Sequence, residues 1–122
     1  MTTIPYVLVG QKVLGALGTG TFQYPVPQGE ELRIRDLIYS SSGTFSITSI
    51  YTSDGQRYTN ASGSAGIPSS VLANGANNFN NIRDFEPDLV IKGGTIFYID
   101  LVDTSNGANT VNLAMNCQRD TK

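Results

Sequence analysis

Hydrophobic side chains in this chain recur with a period of two and almost never with the 3.6-residue period of a helix. The segment TVNLAMNC (110–117) shows it best, with Val111, Leu113, Met115 and Cys117 on one face and Asn112, Ala114 and Asn116 on the other. Successive side chains of a strand point to opposite sides, so this pattern builds a half-buried strand and cannot line one side of a helix. TIFYIDLVD (95–103) is apolar on both faces, Phe97, Ile99 and Leu101 against Ile96, Tyr98 and Val102, and predicts a central strand. In ELRIRDLIY (31–39), Leu32, Ile34 and Ile38 share a face interrupted by Asp36. TFSITSIYT (44–52) puts Phe45, Ile47 and Tyr51 on one face and Thr44, Ser46 and Thr48 on the other. Asp54-Gly55 follows, a hairpin dipeptide, and predicts a return strand in GQRYT.

The remaining segments are less regular. IPYVLV (4–9) reads as a first strand, and residues 11–24 as a looser stretch broken by Gly15, Gly18 and Gly20. PVPQGEE (25–31) is a turn. Residues 60–81 form a polar Gly/Asn/Ser-rich loop, in which Ser69-Ser70 can start one helical turn. Pro87 breaks the chain before the strand DLVIK. Seven to nine short strands with turn signals every 8–12 residues or so predict an all-β fold. The expected architecture is an antiparallel β-sandwich of about eight strands, with a jelly roll as the leading arrangement. The 122 residues suffice for one domain. Residues 1–21 are an N-terminal arm or first strand, and residues 22–122 the sandwich.

Composition narrows the chemistry. There is no His, which removes imidazole catalysis, His-ligated metals and His-based pH switching. The one cysteine, Cys117, forms no intrachain disulfide and no Cys-rich zinc site, and its inward phase reads as a small core hydrophobe. A net charge of −2 argues against nucleic acid, which needs clustered cations. The start MTTIPYVLVG has no cation, and Val7-Leu8-Val9 is too short for a signal-peptide core, so synthesis in a cytoplasm is expected. No apolar run is long enough for a membrane helix.

Acidic groups that invite a functional reading also have ordinary ones. Glu30/Glu31, Asp84/Glu86/Asp88 and Asp100/Asp103 are the carboxylate pairs a glycosidase would need, yet they fall where solvated acids are common. Asp100, Asp103, Ser105 and Asn106 offer oxygens to calcium, but the spacing fits no known calcium loop and suits turn formation equally. Asp36 requires a partner, with Arg33, Arg35 and Arg83 as candidates, unless it guards an edge strand. GALGTG (15–20) lacks the Lys-Ser/Thr of a phosphate loop. Tyr6, Tyr24, Tyr39, Tyr51, Tyr58 and Tyr98 are dispersed over several strands, which favours packing over a sugar platform. No catalytic residue, cofactor or metal is assigned, and the chain is expected not to be an enzyme.

Two features favour assembly instead. The segment up to Phe22 is apolar and uncharged except for Lys12, and charged residues make up only 15% of the chain while Ser, Thr and Asn number 33. Such a surface suits wide polar contacts between β-domains. The candidate interface residues are Ile4, Tyr6, Val7, Val9, Val13, Leu14 and Leu17 in the N-terminal segment, and Ile67, Val71, Leu72 and Phe79 in the Asn-rich loop.

The order of PVPQGEELRIRDLIYSSSGTFSITSI, DGQRYT, an Asn-rich loop and FEPDLVIKGGTIFYIDLVDTSNGANTVNLAMNCQR resembles small β-sandwich cement, decoration or minor capsid proteins of tailed phages. The resemblance spans roughly residues 22–119, in pattern and composition and without a diagnostic motif. It implies a jelly-roll-like virion subunit, a homo-oligomer with a trimer favoured, that staples the major capsid protein or other virion proteins through loops and an N-terminal arm. The rival from another class is a carbohydrate-binding β-sandwich, such as a phage receptor-binding component.

Overall fold

The structure, a computed structural model, describes residues 2–59, 66–73 and 84–121. It is an all-β sandwich. The strands are β1 (Thr2–Leu14), β2 (Thr19–Pro25), β3 (Glu30–Asp36), β4 (Ile38–Ser41), β5 (Phe45–Thr52), β6 (Ile67–Pro68), β7 (Asp84–Lys92), β8 (Ile96–Asp103) and β9 (Asn109–Thr121). Sheet A runs β1-β9-β3-β7, with β4 continuing the β3 side along β9, and sheet B runs β2-β8-β5-β6. Every pairing is antiparallel, and four of them nest one inside the next: β1 with β9, β2 with β8, β3 with β7, β5 with β6.

Alternation makes the two sheets pack. Leu8 and Leu14 of β1, Leu32 and Ile34 of β3, and Val111, Leu113 and Met115 of β9 face Phe22, Phe45, Ile47, Ile50, Phe97, Ile99 and Leu101 across the sandwich, all buried. Each such side chain contributes roughly 1.5–3 kcal/mol on burial. β8 is central, as its two apolar faces predict, and β9 keeps the predicted phase throughout.

Two register shifts turn side chains against simple alternation. In β5 the ladder to β8 slips between Ile47 and Ser49, so Ile50 goes inward and Tyr51 outward, opposite to the face expected for Tyr51. Between β3 and β4 a second irregularity brings Leu37 inward and leaves Ile38 on the outer face. Asp36 sits at that gap and accepts hydrogen bonds from the Asn116 backbone N–H (3.2 Å) and side-chain Nδ2 (3.0 Å). Its carboxylate thereby stands in for the carbonyl that the interrupted strand cannot offer to β9. Its partner is therefore Asn116 and neither Arg33 nor Arg35, while Arg83 lies outside the described residues.

Other expectations need adjusting. The first strand continues through Gly10 to Leu14 instead of loosening after Val9. Gly10 is required there because a Cβ would overlap the Phe22 ring. Pro87 lies inside β7, in the stretch between Asp84 and Leu89 that opposes Asp36 and Ile34, a bulged edge that tolerates the missing N–H. Asp54-Gly55 does turn the chain, with Gly55 at φ 96°, but GQRYT returns through one bridge, Tyr51 to Arg57, and no strand. Ser69–Val71 is a single 3-10 turn without a side-chain cap.

Candidate functional site

At one end of the sandwich three turns meet on a buried polar pair. Asp103 is 1% exposed and accepts from the Leu17 N–H (2.9 Å), the Ser105 hydroxyl (2.6 Å) and N–H (3.2 Å), the Asn106 N–H (3.0 Å) and Asn109 Nδ2 (3.0 Å). The Ser105 hydroxyl, followed by the Leu17 N–H and Asn109, holds its carboxyl well below the usual carboxylate range. These donors engage both Asp103 oxygens, and Asp100 lies on the opposite face of β8, so of the two uses open to this segment, calcium binding and turn formation, the geometry shows turn formation. Among the described residues no three His, Cys, Asp or Glu side chains gather to hold a metal.

The Glu30/Glu31 pair is engaged by arginines, and Asp100 and Asp103 are separated on opposite faces of β8. Glu30 pairs with Arg119 (2.8 Å) and Glu31 with Arg33 (3.2 Å). Arg33 also reaches Asp120 (3.2 Å), whose ionised form is favoured by Gln118, Thr3 and Arg33. Asp54, held by the Thr52 hydroxyl, is lowered too. The lowered values at Asp54, Asp103 and Asp120 favour the ionised carboxylate at each of these three positions. Cys117 is half-buried, and burial pushes its thiol up to about 11.

The outer face of sheet A carries an apolar patch. Val7, Val9 and Val13 project from edge strand β1 with 59%, 68% and 71% exposure. Register aligns Val9, Ala114 of β9 and Ile38 of β4 in one row across three strands. The next row, Gln11, Asn112 and Ser40, is polar and linked by side-chain hydrogen bonds of 3.0 and 3.5 Å. These rows line a shallow groove. Leu17 follows in the β1–β2 turn, 60% exposed and at φ 54°. A left-handed leucine costs about 1–2 kcal/mol, and its side chain stays mostly exposed here.

Of the interface candidates, Ile4, Val7, Val9, Val13, Leu17 and Val71 are exposed. Leu14 (1%) and Leu72 (3%) belong to the core, which corrects both, while Tyr6 and Ile67 are half-buried and pack against it. Leu14 and Tyr6 take the inward parity of β1 with Leu8, a phase the apolar character of the segment concealed. Phe79 and most of the 60–81 loop lie outside the described residues.

A second outward-facing set, on sheet B, lies where sequence alternation misplaces Tyr51. Tyr51 and Tyr98 are opposite each other on β5 and β8 and stack, with ring centroids 4.9 Å apart and planes at 24°. Arg57 covers the Tyr51 ring at 5.4 Å and bonds the Ser49 hydroxyl at 2.6 Å. Asp100 Oδ1 accepts from the Thr21 hydroxyl (2.8 Å) and the Tyr51 hydroxyl (3.4 Å). Tyr6, Tyr24, Tyr39 and Tyr58 pack against the core instead. No protein-family model, no curated protein and no solved structure matches the chain.

Proposed function

We propose that this chain is a non-enzymatic structural subunit of a virus particle, of the cement, decoration or minor capsid kind, which joins its own copies and shell neighbours through the outer face of β1. The observation that carries the reading is the exposed row Val7, Val9 and Val13 on a 13-residue edge strand, continued across the sheet by Ala114 and Ile38. A long apolar edge strand left open in solution is an aggregation hazard, and a partner subunit removes it. The exposed Leu17 in a strained turn supports the same face. Counting β3 and β4 as one interrupted strand leaves eight, and their nested pairing supports a jelly roll, an architecture recurrent in capsid proteins. Several modest contacts per subunit, repeated by trimeric symmetry, supply avidity to the major capsid protein without a deep pocket. Density-gradient fractionation of the native source, followed by antibody detection, tests the role. Sedimentation with intact particles supports it, and recovery only at the top of the gradient contradicts it.

A carbohydrate-binding module is the second reading, favoured by the outward Tyr51–Tyr98 pair beside Asp100.

A further inference from the structure

The outer face of sheet B is ordered in cross-strand rows. Thr21, Asp100 and Ser49 form one row, and Gln23, Tyr98 and Tyr51 the next. The Thr21 hydroxyl of the first row and the Tyr51 hydroxyl of the second both donate to Asp100 Oδ1 and so fix the carboxylate. Oδ2 takes no hydrogen bond from the described residues, although Asp100 is partly shielded. In the second row, Tyr51 has Arg57 over its ring and Tyr98 stacked beside it, while Tyr98 borders the exposed Gln23 on its other flank.

We infer that this face binds a neutral pyranose ring, with Tyr98 and Asp100 as the central contacts. The inference rests on the carbohydrate reading and assigns it a site. A pyranose has an apolar C–H face that packs on an aromatic surface and hydroxyls that both donate and accept. Asp100 Oδ2 accepts from one or two hydroxyls in a charge-assisted bond, and the Gln23 amide serves a neighbouring one. The carboxylate at the centre disfavours an acidic sugar, and the Arg57 guanidinium over the adjacent Tyr51 ring disfavours a cationic one, so the ligand is uncharged. The Tyr51–Tyr98 pair also stabilises the sheet, as any cross-strand aromatic pair does. That role alone does not explain the carboxylate held beside the pair by two hydroxyls.

The test is an amide-resolved NMR titration of the full chain with the methyl pyranosides of glucose, galactose, mannose, N-acetylglucosamine and fucose. Saturable shifts at Gln23, Tyr98 and Asp100 with at least one of them are expected. Asp100→Asn should weaken binding about tenfold or more, the loss of one charge-assisted bond. Tyr98→Leu, which keeps an apolar residue on the strand, should abolish binding while the remaining spectrum stays folded. Saturable binding centred elsewhere keeps the carbohydrate reading and overturns this site. No saturable shift with any of the sugars overturns both.

Discussion

Asn109 donates from Nδ2 to Asp103 Oδ1 at 3.0 Å, a bond between two buried side chains that fastens three turns to one another. The same Nδ2 reaches the Thr44 carbonyl (2.9 Å), and Asn109 Oδ1 receives the Gly43 N–H (3.0 Å). Asp103 in turn holds the Leu17 N–H. The amide thus joins the β4–β5 turn to the β8–β9 turn, and the carboxylate adds the β1–β2 turn.

Asn109→Leu should therefore destabilise the fold by about 2–3 kcal/mol, because the Gly43 N–H and the Thr44 carbonyl lose their Asn109 partner and Asp103 loses one of its donors. Urea denaturation measures it. A loss below about 0.5 kcal/mol, the range of neutral surface changes, would refute the structural role given to this pair.

Acid should weaken the fold in a defined window. Asp103 and Asp120 have carboxyls lowered in the folded state, so the stability they contribute is complete above the unfolded pKa of about 4 and is lost as pH falls below it. With no His, no side chain has an ordinary pKa between 5 and 8. The urea midpoint should be nearly equal at pH 7 and 5 and lower at pH 3, and Asp120→Asn should reduce that drop. A midpoint that rises on acidification contradicts the assignment.

Gly10→Ala should cost about 1–3 kcal/mol by overpacking, since the new methyl meets the Phe22 ring. Phe22→Leu makes room, so the same glycine change should cost less in that background. Equal costs in both backgrounds would show that the two residues do not compete for space.

Leu17→Gly separates stability from assembly. Glycine adopts the left-handed turn without strain, so thermal unfolding should show stability unchanged or raised by up to about 1 kcal/mol. Loss of the exposed side chain should at the same time weaken self-association. A variant that destabilises the monomer, or associates as tightly as wild type, contradicts the role given to Leu17.

The strands with uninterrupted alternation were legible in the sequence: β9 and β8 follow from parity alone. The shifts at Thr48 and around Asp36 were not, because a bulge moves every later side chain to the other face and leaves no compositional mark. This is why Tyr51 reads as inward when it stands outside beside Tyr98. Gly10 reads as a strand end for a related reason, since its need arises from Phe22, twelve residues on. The turn network was hidden by distance, with Asp103 and Leu17 separated by 86 positions. Apolar residues on β1 also look alike in sequence, and only the register divides Leu8 and Leu14 from Val7, Val9 and Val13.

Removing residues 1–17 would take Leu8 and Leu14 from the core, so a single outward substitution is the cleaner probe of assembly. The most direct measurement is the solution mass of wild type and Val9→Asp by light scattering over a dilution series. The account predicts a concentration-stable oligomer for wild type, with three times the 13.1 kDa chain mass favoured, and a folded monomer for the variant. A wild-type monomer at every concentration, or an oligomer that Val9→Asp leaves intact, would contradict assembly through β1.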